Sequence, residues 1–271
     1  MAILEIKNVS HFFGGLQAVH QLSLRLAEGE LQGLIGPNGA GKTTVFNLTC
    51  GFYTPTEGEI LFQGRNIAGL RPHKVTSLGL ARTFQNIRLW NSMSVMENLC
   101  LSQHCRLGYG LIDSILATGR YREAERQVRR TAGEMLEILH LEDHARECPK
   151  NLPYGLQRRV EIGRALAMKP KLLLLDEPAA GMNPSEVENL IELIRWIREK
   201  FNLTIWLIEH QMRVVMALCE WIKVLDFGKI IAEGPPSRIS RDARVIKAYL
   251  GEDDTPACQQ QEPEEGGQAA C

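Results

Sequence analysis

Residues 36–43 read Gly36-Pro37-Asn38-Gly39-Ala40-Gly41-Lys42-Thr43, the pattern G-x-x-x-x-G-K-[ST] without a mismatch. Each residue type there has a chemical reason. The glycines let the backbone curl until successive N–H groups point inward at phosphate oxygens. Lys42 adds a mobile positive charge for the β- and γ-phosphates, and Thr43 supplies a hydroxyl for Mg²⁺. Leu31-Gln32-Gly33-Leu34-Ile35 before the loop predicts a short buried strand. Thr44-Val45-Phe46-Asn47-Leu48-Thr49 after it predicts a helix whose N-terminus favours anions. A glycine turn that fits the pattern by chance is the ordinary alternative, and a strand before and a helix after weigh against it. The loop implies a nucleoside triphosphate as ligand.

Two further stretches carry groups that would work on a triphosphate. Leu172-Leu173-Leu174-Leu175-Asp176-Glu177-Pro178 is an apolar strand that ends in two carboxylates. Asp176 is placed to hold the water shell of Mg²⁺. Glu177, one residue on, points elsewhere and can polarise a water for in-line attack on the γ-phosphate. An acidic turn after a strand is the plainer explanation, but two adjacent acids after four leucines in such a chain make it a poor one. Ile208-Glu209-His210-Gln211 ends another apolar strand, and His210 suits a γ-phosphate contact, although a lone histidine is more often structural. Gln85 closes Leu80-Ala81-Arg82-Thr83-Phe84-Gln85; its neutral amide can reach Mg²⁺ or water and move with a hinge. Taken alone it is a weak candidate.

These groups must be carried by a framework, and the rest of the chain predicts one. Ile3–Val9 and Leu22–Leu26 alternate as half-buried strands, and 58–62 is a third. They predict a small antiparallel sheet around the phosphate loop. Residues 92 to about 150 are helical in character. Ala124, Val128, Ala132, Met135 and Leu139 form an apolar stripe, with Arg120, Arg122, Arg126, Arg129 and Arg130 largely off it. That basic face could meet anionic lipid or a partner; a solvated helix face is the more common case. From Val160 onward the pattern alternates: strand at Leu172–Leu175, helix at Ser185–Lys200, strand at Leu203–Ile208, helix at Met212–Cys219, strand at Ile222–Asp226. Strands alternating with helices imply a parallel sheet.

The composition bounds the rest. The chain has 271 residues, 44% hydrophobic and 23% charged, with a formal net charge of −1. That describes a globular protein without the global basic field expected of a nucleic-acid binder. Glu5 and Lys7 interrupt the only N-terminal apolar stretch, so no secretory leader is expected, and the longest apolar runs are strand-sized. Both point to a cytoplasmic protein. The seven cysteines (Cys50, Cys100, Cys105, Cys148, Cys219, Cys258 and Cys271) include no C-x-x-C pair, so reduced thiols are expected. Residues 252–271 hold six acids (Glu252, Asp253, Asp254, Glu262, Glu264, Glu265), no base and almost nothing apolar, and are expected to be disordered.

With these residues in view, residues 1–251 resemble the ABC-transporter ATPases. The 36–43 loop matches that family's Walker A motif, Gln85 its Q-loop, Asp176-Glu177 its Walker B with catalytic Glu, and His210 its H-loop. Phe13, before Gly14-Gly15, matches the aromatic that stacks on adenine; a core aromatic is its ordinary alternative. The signature loop that reaches the partner subunit's ATP corresponds to Leu152-Pro153-Tyr154-Gly155-Leu156, followed by Gln157-Arg158-Arg159. Pro153 stands where a serine is usual, and Leu156 where a glutamine is. Tyr154, Gly155 and the following helix start remain to supply backbone N–H groups. Asn183 replaces a frequent Asp. Ala81-Arg82-Thr83-Phe84-Gln85-Asn86-Ile87-Arg88-Leu89-Trp90, Glu97-Asn98-Leu99 and Ala248-Tyr249-Leu250-Gly251 are similar to the high-affinity branched-chain amino-acid importer branch. Urea and short-amide importers look alike in these segments.

The resemblance implies an α/β fold: a RecA-like P-loop NTPase core, an N-terminal antiparallel β subdomain and a helical subdomain near residues 90–158. It implies ATP and Mg²⁺, held by the loop (Gly36 to Thr44), with Thr43, Gln85 and Asp176 serving the metal and Glu177, His210 and Gln85 serving catalysis. It implies a second ATPase subunit, usually a different chain, two permeases and an external binding protein, at the cytoplasmic face of the membrane. An export or lipid-transport ATPase shares the motifs. A soluble P-loop kinase or DNA-repair ATPase would need a second-substrate site or a long coiled coil, and no heptad array is present.

Overall fold

The structure, a computed structural model, describes residues 1–106 and 109–250. The expected acidic tail, 252–271, lies outside the described residues. β1 (Ala2–Phe13) and β2 (Leu16–Ala27) form a long antiparallel hairpin. β3 (Leu31–Ile35) and α1 (Lys42–Thr49) follow, with the glycine loop between them. β4 (Glu57–Phe62) then returns to pair with β1, and β5 (Arg65–Asn66) pairs with β4, giving the sheet order β2-β1-β4-β5. The hairpin strands are longer than their alternation predicts. Register shifts interrupt the β1–β2 pairing between Ile6 and Val9, where Asn8 takes φ 49°, and Gln21 of β2 takes φ 45°. Each irregularity inserts a residue and resets which side chains face inward, so the strand continues while the periodicity breaks.

The second sheet runs β10-β9-β3-β8-β7-β6. After α2 (Pro72–Ser77) comes its edge strand β6 (Leu80–Arg82). The helical region follows with α3 (Val95–Ser102), α4 (Leu111–Ile115), α5 (Gly119–Leu139) and α6 (Tyr154–Ala167). β7 (Leu172–Asp176), α7 (Pro184–Phe201), β8 (Thr204–Ile208), α8 (Met212–Leu218) and β9 (Trp221–Asp226) restore the alternation. β10 (Lys229–Gly234) pairs antiparallel with β9, and α9 (Pro236–Ile239) and α10 (Ala243–Leu250) close the described chain. The neighbours β6–β7, β7–β8, β8–β3 and β3–β9 are parallel. β3, β7 and β8 are buried at every position, which is why they read as near-continuous apolar runs.

The helices follow their sequence signals. Ser94 and Glu97 make a reciprocal capping box on α3, and Asn183 and Glu186 do the same on α7, with Pro184 at the first turn. Asn183, a departure from the common pattern, is therefore an N-cap in its own right. On α5 the stripe is inward: Val128, Ala132, Met135 and Leu139 are buried, and Ala124 is half-buried. All five arginines of its other face are exposed, and Arg126 and Arg130 pair with Glu123 and Glu134 of the same helix. Cys50, Cys100, Cys148 and Cys219 are free thiols. Burial pushes Cys50 up to about 11 and Cys219 up to about 12, so neither is a ready nucleophile. No helix of the described residues is long and apolar enough to cross a membrane.

Candidate functional site

The parallel strands β3, β7 and β8 deliver their next loops to one edge of the sheet, the edge at which open α/β folds bind ligands. The loop after β3 needs glycine at two points. Gly36 has φ 150°, and a Cβ there would sit 2.0 Å from the Leu225 carbonyl oxygen; Gly41 has φ 103°, and a Cβ would meet the Ala18 carbonyl oxygen at 2.6 Å. The loop therefore lies against the β9–β10 turn and the β1–β2 hairpin at van der Waals range. Lys42 folds back over it. Its Nζ donates to the carbonyls of Gly36 at 2.7 Å and Pro37 at 2.9 Å and makes no ion pair among the described residues. Burial lowers its pKa, and Glu177 and Asp176 pull it back up. A buried cation resting on two carbonyls is a site built for an anion.

A cavity of about 530 Å³ opens over this loop. Of the residues expected to bind or react, Phe13, Asn38, Gly39, Ala40, Gly41, Lys42, Thr43, Thr44, Gln85 and Glu177 all line it. Gly36 and Pro37 shape the loop from beneath. Phe13 is 43% exposed, with its edges on His11 (ring centroids 4.7 Å) and Tyr53 (5.2 Å). It is not a core aromatic. Tyr154 and Gly155 are not among the lining residues; they open α6 elsewhere on the surface.

Asp176 and Glu177 do point differently, and the backbone shows why. Asp176 ends the buried strand, while Glu177 takes φ 46°, a left-handed conformation rare outside glycine. That twist turns the Glu177 carboxyl into the cavity, where its Oε2 accepts from Gln85 Nε2 at 2.7 Å. The His210 ring nitrogen Nδ1 lies 3.6 Å from the same oxygen. So Gln85 and His210, far apart in sequence, converge on the Glu177 carboxylate. Asp176 stays beneath, with Oδ2 2.6 Å from Arg82 Nη2.

The structure adds residues that sequence reading did not assign. Arg82 also donates to Asn47 Oδ1 of α1 at 2.6 Å, tying the helix after the phosphate loop to Asp176. Glu209 is fully buried, and burial pushes its pKa up against the amides that it accepts. Its Oε1 accepts from the Ala179 amide at 2.8 Å, and Oε2 from those of His210 and Gln211, so it holds the loops after β7 and β8 together. Tyr249 accepts from the Gly36 amide at 2.9 Å, fixing the first peptide of the phosphate loop to α10. The signal for Arg82 and Glu209 was a charge at the end of an apolar strand; nothing in the sequence pointed from Tyr249 to Gly36.

A glycine-rich loop between β3 and α1, a lysine on its carbonyls and paired carboxylates at the end of a neighbouring parallel strand define a P-loop ATPase cassette. Comparison with known proteins narrows the class. The ABC transporter family matches residues 19–180, and the branched-chain amino acid ATP-binding cassette transporter family matches 229–255. The chain is 44% identical over 250 residues to the high-affinity branched-chain amino acid transport ATP-binding protein BraF of Pseudomonas aeruginosa. It is 45% identical over 250 residues to the corresponding protein LivG of Escherichia coli. Each match covers 92% of this chain and 98% of the relative. Among solved structures, the ADP conformation of an ATP-binding cassette of an ABC transporter superposes with a TM-score of 0.81 at 31% identity, covering 93% of this chain and 100% of that one. The chain belongs to the ABC transporter family and is an ATPase coupled to transport.

Proposed function

We propose that this chain is the ATP-hydrolysing subunit of an importer of branched-chain or related amino acids, working at the cytoplasmic face of the cell membrane. What supports the substrate class is the similarity over nearly the whole chain to two ATP-binding proteins of high-affinity branched-chain amino acid transport, extending into the C-terminal segment 229–255. Its partners in this reading are a second ATPase, two permeases and an external binding protein. Uptake of labelled leucine, isoleucine and valine by the assembled complex in vesicles loaded with ATP tests it. ATP-dependent uptake of all three, competed by one another, is expected. A complex that moves urea or exports lipid while ignoring these amino acids would overturn the substrate assignment.

Within the site, Lys42 and the amides of the loop hold the phosphates. Among the described residues no three His, Cys, Asp or Glu side chains cluster to hold a metal unaided. Thr43 and Gln85 line the cavity and Asp176 lies beneath it on Arg82; these three would hold Mg²⁺, an ion commonly held by one or two carboxylates together with substrate phosphates. When bound, that ion neutralises charge on the β- and γ-phosphates. Glu177 takes the proton of the attacking water, and His210 steadies the γ-phosphate. Tyr154 and Gly155 present the N-terminus of α6 to the ATP of the second subunit, so each hydrolytic site is a composite of two chains. The isolated chain is then a slow ATPase.

Phe13 supplies the base contact. Phe13→Ala is expected to weaken ATP binding by about 1–3 kcal/mol, the usual worth of one base–aromatic stack. Because the ring is half-exposed, the fold should survive. Unchanged affinity in a nucleotide titration of the folded variant would return Phe13 to a packing role.

A further inference from the structure

Between α3 and α5 lies a short helix whose polarity is reversed. α4 spans Leu111–Ile115, and Leu111, Ile112, Ile115 and Leu116 follow one of its faces. These four aliphatic side chains are between 68% and 82% exposed. The polar residues between them are half-buried and tie the helix to the chain. The Asp113 carboxylate accepts from the Gly110 amide at 3.2 Å and from the Thr118 hydroxyl at 3.1 Å, and its carbonyl accepts from the Thr118 amide at 3.1 Å. Ser114 donates back to the Leu111 carbonyl at 2.8 Å. Thr118 in turn caps α5 by accepting from the Tyr121 amide. A surface helix of a globular protein normally lays its apolar stripe on the core. Here the hydrogen bonds that fasten α4 to the start of α5 leave its apolar face turned out, as a projecting tip.

Behind the tip the polarity rises in order. Tyr109 and Tyr121 are half-buried and meet edge to face with ring centroids 5.1 Å apart, and the Tyr109 hydroxyl donates to Glu125 at 2.8 Å. Arg120 and Arg122, in the first turn of α5, are exposed and make no ion pair among the described residues, whereas Arg126 and Arg130 further along are paired with acids of their own helix. Aliphatic side chains, then tyrosines, then free arginines is the polarity order of a bilayer interface, from acyl chains to phosphates. The centre of a protein contact is built differently, on Trp, Tyr and Arg anchors with leucine under-represented. The charge complementarity is local: the chain as a whole carries −1, so it has no general attraction for anionic lipid.

We propose that the α4 tip is a membrane-surface anchor. Leu111, Ile112, Ile115 and Leu116 enter the acyl boundary of the bilayer, and Arg120 and Arg122 bind the phosphates of anionic phospholipid. The proposal rests on the reading of this chain as a subunit that works at a membrane, and adds a lipid contact that the chain makes for itself rather than through the permease.

The test is flotation of the purified full chain with vesicles of phosphatidylethanolamine and phosphatidylglycerol, compared with vesicles of phosphatidylcholine alone. Binding to the anionic vesicles is expected to be about tenfold tighter or more, since each arginine near an anionic surface is worth roughly fivefold. Replacing all four aliphatic residues by Ser should lower that binding about tenfold or more at low and high salt alike. Arg120→Gln with Arg122→Gln should lower it at about 0.1 M salt and make little difference at about 1 M, where charges are screened. All six side chains are exposed, so the fold should survive, and nucleotide titration checks it. Ile112→Ser with Ile115→Ser should act in the same direction if the fourfold variant does not fold. An unsubstituted chain with no preference for anionic vesicles, or Ser variants that bind them undiminished, overturns the proposal. So does a chain that ignores vesicles but whose Ser variants lose the permeases from the purified complex, or lose self-association in solution; the tip is then a protein contact. Vesicle binding as expected, in a complex that takes up none of the branched-chain amino acids, would overturn the transport reading and leave the anchor standing.

Discussion

Replacing Glu177 by Gln is expected to lower ATP turnover by about 10²- to 10⁴-fold, the usual contribution of a general base, while nucleotide binding stays near that of the unsubstituted chain. The amide keeps the shape of the carboxylate and its carbonyl oxygen can still accept from Gln85, which now bonds Glu177 Oε2 at 2.7 Å. The φ of 46° is no worse for Gln than for Glu, so stability should change little. What is lost is the capacity to take a proton. The ATP-bound state of the assembled pair should therefore persist, since hydrolysis is what reopens it. Phosphate release and retained nucleotide, measured on the same sample, decide the matter. Near-normal turnover would remove Glu177 as the base and shift attention to His210, whose ring lies 3.6 Å from the same carboxylate.

The parts of this site that sequence made legible share one property: their chemistry depends on residues close together in the chain. The loop 36–43 declares itself through local backbone needs, and β7 through four leucines and two acids that are adjacent in sequence. The parallel sheet followed from strands that alternate with helices from Val160 onward. What stayed hidden depends on contacts between distant residues. Arg82 reads as an ordinary arginine until β6 pairs with β7 and brings it to Asp176. Arg158 reads as part of a basic stretch after the signature loop, and only the packing of α6 on the 84–90 segment reveals its partners. The hairpin lengths were obscured for another reason. Asn8 and Gln21 adopt left-handed backbone within strands, which breaks the period of two without ending the strand.

Trp90→Glu is expected to abolish transport by the assembled complex while sparing ATP binding. A cavity of about 560 Å³ lies between the helical region and the core, walled by Phe52, Phe84, Leu89 and Trp90 with Arg88 and Arg164 beside them. Segment 87–99 carries Ile87, Leu89, Trp90, Met93, Val95 and Met96, apolar residues that would suit a permease; of these, Val95 is fully buried and belongs to the core. Ile87, Leu89, Met93 and Met96 are half-buried, and Trp90 is 44% exposed. The exposed apolar surface of this segment therefore centres on Trp90. Its backbone is held independently of its ring: Asn98 accepts from the Trp90 amide at 3.0 Å and donates to its carbonyl at 3.0 Å. The substituted chain should thus keep its path and lose the ring together with its contact to Arg164. Contact tryptophans of this kind commonly contribute about 2–4 kcal/mol to an interface, enough to cost roughly 30- to 1000-fold in association. Because this segment begins at Gln85, the loss falls on the link between nucleotide and permease and leaves the phosphate loop untouched. Uptake in a reconstituted complex and nucleotide titration of the isolated chain separate the two effects. Normal uptake by the variant would mean that the permease docks elsewhere, and the exposure of Trp90 would need another cause.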